Sequence, residues 1–147
     1  MLNISIKKLS SDAIVPMKAN GDAGYDLYSA EEYILQPLER KLFKTNIAMS
    51  IPYGYYGRIA DRSGNAFKRG LHVMGGVIDS TYRGDIGVIL VNLNRLEPGN
   101  EDYCTVINKG DRIAQIIFEK YNDAKFVEVE ELDQTIRNDS GFGSSGN

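Results

Sequence analysis

The chain has no tryptophan, one cysteine, one histidine and only four prolines in 147 residues. A single thiol, Cys104, excludes an internal disulfide and fits a reducing compartment. It has no histidine partner and lies in a strand-like run, so it reads as a small core residue rather than a nucleophile. The lone His72 has no His, Cys or carboxylate at metal-ligand spacing, which argues against a zinc site. No apolar run approaches the roughly 20 residues that span a bilayer. The opening MLNISIKKLS shows neither an apolar signal core nor an arginine-rich transit pattern. The expectation is a cytoplasmic protein, or one in the equivalent compartment of a host cell, with no membrane partner. An excess of positive charge is also missing. Seventeen Lys and Arg against 20 Asp and Glu leave a net charge of -3, which argues against a non-specific nucleic-acid binder. A small anionic ligand held by a few arginines remains compatible with that balance.

What is present is ordinary in bulk and informative in detail. Hydrophobic residues make up 42% and charged residues 25% of a chain whose length suits one domain. The runs LNISIKKL, KLFKTNIAMSIP, GYYGRIA, DIGVILVNL, YCTVIN, RIAQIIFEKY and KFVEVEEL are short, alternating or β-branched, and read as strands. The turn signals NGDAG, IPYG, EPGN and NKGD separate them, so the pattern points to an all-β sandwich or barrel. One segment differs: SGNAFKRG predicts a single short helix with Ser63 as N-cap and Gly70 just past its end. From EELDQTIRNDSGFGSSGN onward the pattern dissolves, which predicts a domain over 1–131 and an arm over 132–147. Glycine is enriched, at 15 residues where an average composition would give about ten. Several of these glycines sit beside Asp, Arg or Ser, where a backbone can approach a ligand closely.

Taken singly, the polar motifs are ambiguous. In GRIADRSGNAF, Arg62, Ser63 and Gly64 stand at the mouth of the expected helix, a place suited to a phosphate and equally to an ordinary cap. In GGVIDSTYRGD, Asp79 falls near a hairpin turn with Tyr82 close by; it can activate a water or simply form the turn. In GDAGYDLYS, Asp22 and Asp26 suit either a hydrated Mg²⁺ or an Asx-turn. NKGDRIAQII gives a Lys109–Gly110–Asp111 turn with Gln115 on the strand that follows. The closing SGFGSSGN resembles a flexible linker, except that Phe142 lies between two glycines, and a spacer needs no aromatic ring.

The order of these motifs is specific. AGYDL, GRIADRSG, GGVIDSTYRGD, KGDRIAQII and RNDSGFGSSG together resemble the five ordered motifs of the trimeric dUTPase family, from about residue 20 to the C-terminus. The resemblance implies an all-β, jelly-roll-like β-barrel that assembles as a homotrimer with shared active sites. It also implies hydrolysis of dUTP to dUMP and pyrophosphate with Mg²⁺, which keeps uracil out of DNA and supplies dUMP for thymidylate synthesis. By motif, Asp79 matches the carboxylate that activates the attacking water. Tyr82 matches the ring under the deoxyribose, leaving no room for a 2′-hydroxyl. Gly76, Val77 and Ile78 match the hairpin that reads the uracil edge, and Arg62, Ser63 and Gly64 match the phosphate cradle. Gln115 matches a contact near the α-phosphate and water, and Asp26 a carboxylate that steadies Mg²⁺ through its hydration shell. In the tail, Arg137 matches a cation on the γ-phosphate, and Phe142 the ring stacked over uracil. Gly143, Ser144 and Ser145 match donors that wrap the triphosphate. The arm is expected to be mobile when empty, to order with substrate, and to close a site on neighbouring subunits.

Three positions depart from the family pattern. Asp61 replaces a usual Pro, and a carboxylate there would weaken phosphate binding unless it points away. Thr81 replaces a frequent Asp, and Asn138 replaces a usual Gly in a turn that Asn can still adopt. Two other readings share the scaffold: a dCTP deaminase, which would need a Glu at the pyrimidine and would lack the GFGSSG arm, and a binding or regulatory protein without turnover. There is no Cys–His pair and no Walker-type loop to support another route to nucleotide hydrolysis.

Overall fold

A computed structural model describes residues 2–95 and 103–139. Along the chain these form β1 (Ser5–Lys8), β2 (Tyr25–Tyr28), β3 (Tyr33–Leu35), β4 (Arg40–Phe43), β5 (Ile47–Ser50) and β6 (Tyr55–Ala60). Then come α1 (Ser63–Arg69), β7 (Leu71–Met74), β8 (Val77–Ile78), β9 (Val88–Asn92), β10 (Thr105–Ile107) and β11 (Arg112–Lys120). The strands build a four-stranded sheet β2-β11-β6-β8, a three-stranded sheet β4-β9-β7, and the pairs β1-β5 and β10-β3. Every ladder is antiparallel. The fold is the all-β, jelly-roll-like architecture expected, with one short helix.

Period-two alternation drives the packing. In β9, Val88, Leu90 and Asn92 point inward while Ile89 and Val91 are half-buried. The core gathers Leu27, Leu35, Phe43, Ile47, Ile86 and Ile116 from several sheets, all fully buried. Asn92 is the polar exception, and it is satisfied. Its amide donates to the carbonyls of Leu35 (3.1 Å) and Tyr103 (2.8 Å), and its oxygen accepts from Asn94 N–H. A buried amide left unpaired would cost about 1–3 kcal/mol.

The structure changes three expectations. KLFKTNIAMSIP is two strands, because Asn46 takes a left-handed φ of 55° between β4 and β5. KFVEVEEL is not a strand: regular structure among the described residues ends with β11, and Phe126, Val127, Val129 and Leu132 lie exposed. The alternation in that segment is genuine, but no strand edge among the described residues pairs with it. Cys104 is half-buried rather than in the core, with Sγ bonded to Gln36 Oε1 at 3.0 Å. The turns NGDAG, IPYG and NKGD form with positive φ at Gly21, Gly54 and Gly110; EPGN lies outside the described residues.

Two features position the functional residues. The ladder between β11 and β2 shifts register between Arg112 and Ala114. This bulge lets two consecutive residues, Ile113 and Ala114, both face the core, and it brings Gln115 opposite Asp26. Asn65 of α1 then docks on the bulge, its amide donating to the carbonyls of Arg112 (2.9 Å) and Ile113 (3.2 Å). Those bonds hold the start of the helix against β11.

Candidate active site

The first cluster lies where β2, β11, β6 and α1 meet. Gln115 pairs in register with Asp26 on one side and Ala60 on the other. The Gln115 amide nitrogen donates to the Asp61 carbonyl at 2.8 Å, and a Cβ on the neighbouring Gly24 would fall 2.0 Å from Gln115 Oε1. Gly24 is therefore required for the side chain to lie where it does. Arg62 Nε binds Asp26 Oδ1 at 2.7 Å, and Arg112 approaches the other oxygen at 3.6 Å. Only the Nε of Arg62 is used by Asp26, so its two Nη groups keep donors for another anion.

The helix begins one residue earlier than expected for a Ser63 cap: Arg62 is the N-cap, without a side-chain cap bond, and Ser63 is the first helical residue. The reason is backbone geometry, since Arg62 keeps extended φ and ψ of -93° and 128° while its carbonyl accepts the first helical bond from Ala66 N–H. The first-turn N–H groups of Ser63, Gly64 and Asn65 remain outside the helix's own ladder. Ser63 and Gly64 are exposed. Gly70 ends the helix in the left-handed conformation, as the sequence predicts.

The second cluster is the hairpin after β7. Gly76 O accepts Ile59 N–H at 2.7 Å, and Val77 and Ile78 pair with Arg58 and Gly57 of β6. Asp79 closes the turn through its carbonyl, which accepts Tyr82 N–H at 3.1 Å. The Asp79 carboxylate is exposed and has no hydrogen-bond or ion-pair partner among the described residues. It borders two cavities. One, of about 250 Å³, is lined by Leu42, Ile78, Tyr82 and Gly87. The other, of about 510 Å³, is lined by Tyr53, Tyr56, Thr81 and Tyr121. Hydrogen bonds to Asp123 and Glu119 hold the Tyr53 and Tyr56 phenols above their ordinary range, so both stay neutral. Neither cavity is lined by Asp26, Arg62, Ser63, Gly64 or Gln115. Among the described residues of one chain, neither of these cavities joins the two clusters.

The departures from the family pattern each find a place. The Asp61 carboxylate turns toward β7, accepting Val73 N–H at 2.6 Å and meeting His72 Nδ1 at 2.7 Å. Thr81 is exposed on the rim of the larger cavity. Asn138 holds a positive φ of 41° and exchanges bonds with Thr135, its Oδ1 taking Thr135 N–H and its own N–H going to Thr135 Oγ1. Arg137 lies in that turn. Phe142, Gly143, Ser144 and Ser145 lie outside the described residues. Sequence reasoning missed the docking role of Asn65 and the His72–Asp61 pair. The GDAG motif signalled a close approach at Gly24 without showing what approaches.

No group of three or more His, Cys, Asp or Glu that could hold a metal occurs among the described residues. Asp26, already paired with two arginines, suits contact with a hydrated cation rather than direct ligation.

Comparison with known proteins bears on the fold and the family. The family model dUTPase matches residues 11–146. The deoxyuridine 5'-triphosphate nucleotidohydrolase of Fowlpox virus (strain NVSL) is 48% identical over 150 residues, covering 99% of each chain. That of Vaccinia virus (strain Copenhagen) is 52% identical over 127 residues, 86% of this chain and 80% of the relative. Among solved structures, a mutant dUTPase of Staphylococcus bacteriophage 80alpha with dUpNHpp superposes with a TM-score of 0.90 at 32% identity, over 99% of both chains. A mutant dUTPase from phage phi11 of S. aureus, described with a structural Mg(II) ion, gives 0.83 at 30% identity over 90% of this chain and 99% of its own. On these grounds the chain belongs to the dUTPase family.

Proposed function

We propose that this chain hydrolyses dUTP to dUMP and pyrophosphate, with Asp79 as the base that primes the attacking water. The observation that carries the reading is the Asp79 carboxylate, unpartnered among the described residues and exposed at the rim of the Tyr82 cavity in a chain of this family. A carboxylate already paired would have to give up its partner before accepting a proton. The water oxygen forms a bond to the α-phosphorus, its proton passes to Asp79, and the bond from phosphorus to the bridging oxygen breaks. Pyrophosphate leaves with that electron pair. Tyr82 lies beside the sugar and excludes a 2′-hydroxyl. Gly76, Val77 and Ile78 present backbone groups to the uracil edge.

Arg62, through its Nη groups, and the first-turn N–H groups of Ser63 and Gly64 bind the phosphates. Gln115 keeps one amide hydrogen on Asp61 and offers the other to the α-phosphate or the water. Magnesium bound to the phosphates would neutralise their charge, with Asp26 touching its waters. Positioning and charge stabilisation supply most of such a rate enhancement, so residues on several rigid strands suit the task.

Assembly belongs to the same proposal. The cavities beside Asp79 are not lined by Arg62 or Gln115, and among the described residues nothing covers the exposed apolar side chains of Phe126, Val127, Val129, Leu132 and Ile136. Both observations support a homotrimer in which one subunit supplies the Asp79 hairpin, a second supplies Arg62 and Gln115, and a third supplies the arm with Arg137, Phe142, Gly143, Ser144 and Ser145. The test is to incubate the protein with dUTP, dCTP or UTP plus Mg²⁺ and follow pyrophosphate and ammonia. Pyrophosphate from dUTP alone is expected. Ammonia from dCTP would indicate a deaminase, and silence with all three a binding protein.

A further inference from the structure

We propose that Asp61 is a positioning residue for this reaction: its carboxylate, tied to Val73 N–H and His72, fixes the main-chain carbonyl that holds Gln115. The inference rests on the reading of Gln115 as a contact of the α-phosphate and the attacking water, and deepens it.

Asp61 sits just beyond the end of β6, one residue after Ala60, and just before the N-cap of α1. Its carbonyl therefore lies outside the ladder that fixes Ala60 against Gln115. A peptide at such a junction is free to rotate unless something else holds it. Two bonds do so. Oδ1 accepts Val73 N–H at 2.6 Å, and Oδ2 meets His72 Nδ1 at 2.7 Å. Val73 belongs to β7, the edge strand of the three-stranded sheet, so this N–H faces away from β9 and is open to a side-chain acceptor. Asp61 thus ties the end of one sheet to the edge of another, and its carbonyl is held by the same tie.

Gln115 depends on that carbonyl. Its Nε2 donates to Asp61 O at 2.8 Å; because a carbonyl only accepts, this contact sets which end of the amide faces which way. The bare backbone of Gly24 leaves room for Oε1 on the other side. The amide is therefore held edge-on, with its second hydrogen left for a ligand. The same tie directs the negative charge of Asp61 toward β7 instead of toward the Nη groups of Arg62. Loss of the carboxylate would leave the carbonyl in place chemically but not in orientation.

The experiment compares full-length wild type with Asp61→Ala, Asp61→Asn, His72→Ala, Gln115→Ala and the Asp61→Ala/Gln115→Ala double variant. Readouts are kcat and KM for dUTP with Mg²⁺ and the ¹H–¹⁵N side-chain amide signals of Gln115, assigned by their loss in Gln115→Ala. Asp61→Ala should lower kcat about tenfold with KM within about twofold, and should move the Gln115 signals. Asp61→Asn still accepts from Val73 and faces His72, and should keep kcat within about twofold. The double variant should be no slower than Gln115→Ala, because the two residues act in series. His72 is largely exposed, so His72→Ala folds; it removes one of the two ties and should shift the same amide signals even if Asp61→Ala does not fold.

Unmoved Gln115 signals in both Asp61→Ala and His72→Ala would overturn the proposal, as would full additivity in the double variant. A slow Gln115→Ala enzyme beside a wild-type Asp61→Ala enzyme would overturn it alone. A Gln115→Ala enzyme with wild-type kcat would overturn the reading of Gln115 and the proposal with it.

Discussion

The ring of Tyr82 folds back over Gly84 so closely that a Cβ on Gly84 would stand 2.4 Å from the phenol oxygen. The hydroxyl also donates to the Asp85 carbonyl at 3.0 Å, so the ring is held at both ends of its reach. Gly84→Ala cannot leave the ring there, yet the clash is with the tip of a half-exposed side chain and not with the core. The fold should tolerate it, with stability changed by under about 1 kcal/mol. The ring should swing off the proposed sugar floor, and the preference for dUTP over UTP should fall about ten- to a hundredfold. Ratios of kcat/KM for the two nucleotides measure this; an unchanged ratio would mean that Tyr82 does not shape the sugar subsite.

Asp79→Asn tests the assignment of the base. Asparagine keeps the size of the side chain and the turn closed by Tyr82 N–H on the Asp79 carbonyl. Turnover should fall by about a thousandfold or more, the upper range of general-base removal. Binding of dUTP, followed by calorimetry, should remain within about threefold, because the proposed phosphate donors lie in the other cluster. Loss of binding together with turnover would make Asp79 a structural residue.

Much of this architecture is legible from the chain alone, and the failures share one cause. The β9 run VILVN shows its inward face directly, since Val88, Leu90 and Asn92 alternate with outward neighbours. The end of α1 was readable from Gly70, because few other residues adopt a φ of 63°. What local pattern did not supply was the partner. KFVEVEEL has the period of a strand, but a strand exists only where an edge receives it. The bulge at Arg112–Ala114, which sets Gln115 opposite Asp26, is a property of two strands and leaves no mark in either. The use of Asp61 likewise depends on His72 and Val73, which the whole of α1 separates from it.

Glu119 gives a prediction that depends on pH. It lies opposite Tyr56 and diagonal to Arg58 across the β11–β6 ladder. Hydrogen bonds from Tyr56 and then Arg58 hold its carboxyl below the usual carboxylate range. A lowered folded-state value stabilises the protein at pH values above the unfolded-state value and loses that contribution as pH falls through the folded one. Wild type should therefore melt above Glu119→Gln near neutrality. The gap should start to close near about pH 4.3, the ordinary glutamate value, and shrink further below it. Melting curves between acid and neutral pH test this. Parallel curves would mean that the exposed pair contributes nothing net, as many surface pairs do.

The proposed arm can be tested without assuming where it lies. All strand ladders among the described residues fall within residues 5–120, so removing 140–147 takes no strand from them. The truncated protein should keep its Tm within about 2 °C, and its kcat/KM should drop at least about a hundredfold. The sharper test mixes two dead enzymes. The truncated chain still carries Asp79, and full-length Asp79→Asn still carries Arg137 and Phe142. If one subunit's arm serves another subunit's hairpin, unfolding the two together and refolding them creates sites with an intact base and an intact arm. Activity should then rise well above the sum of the separate preparations. If the arm serves only its own chain, every site in the mixture lacks one of the two, and no such rise can occur.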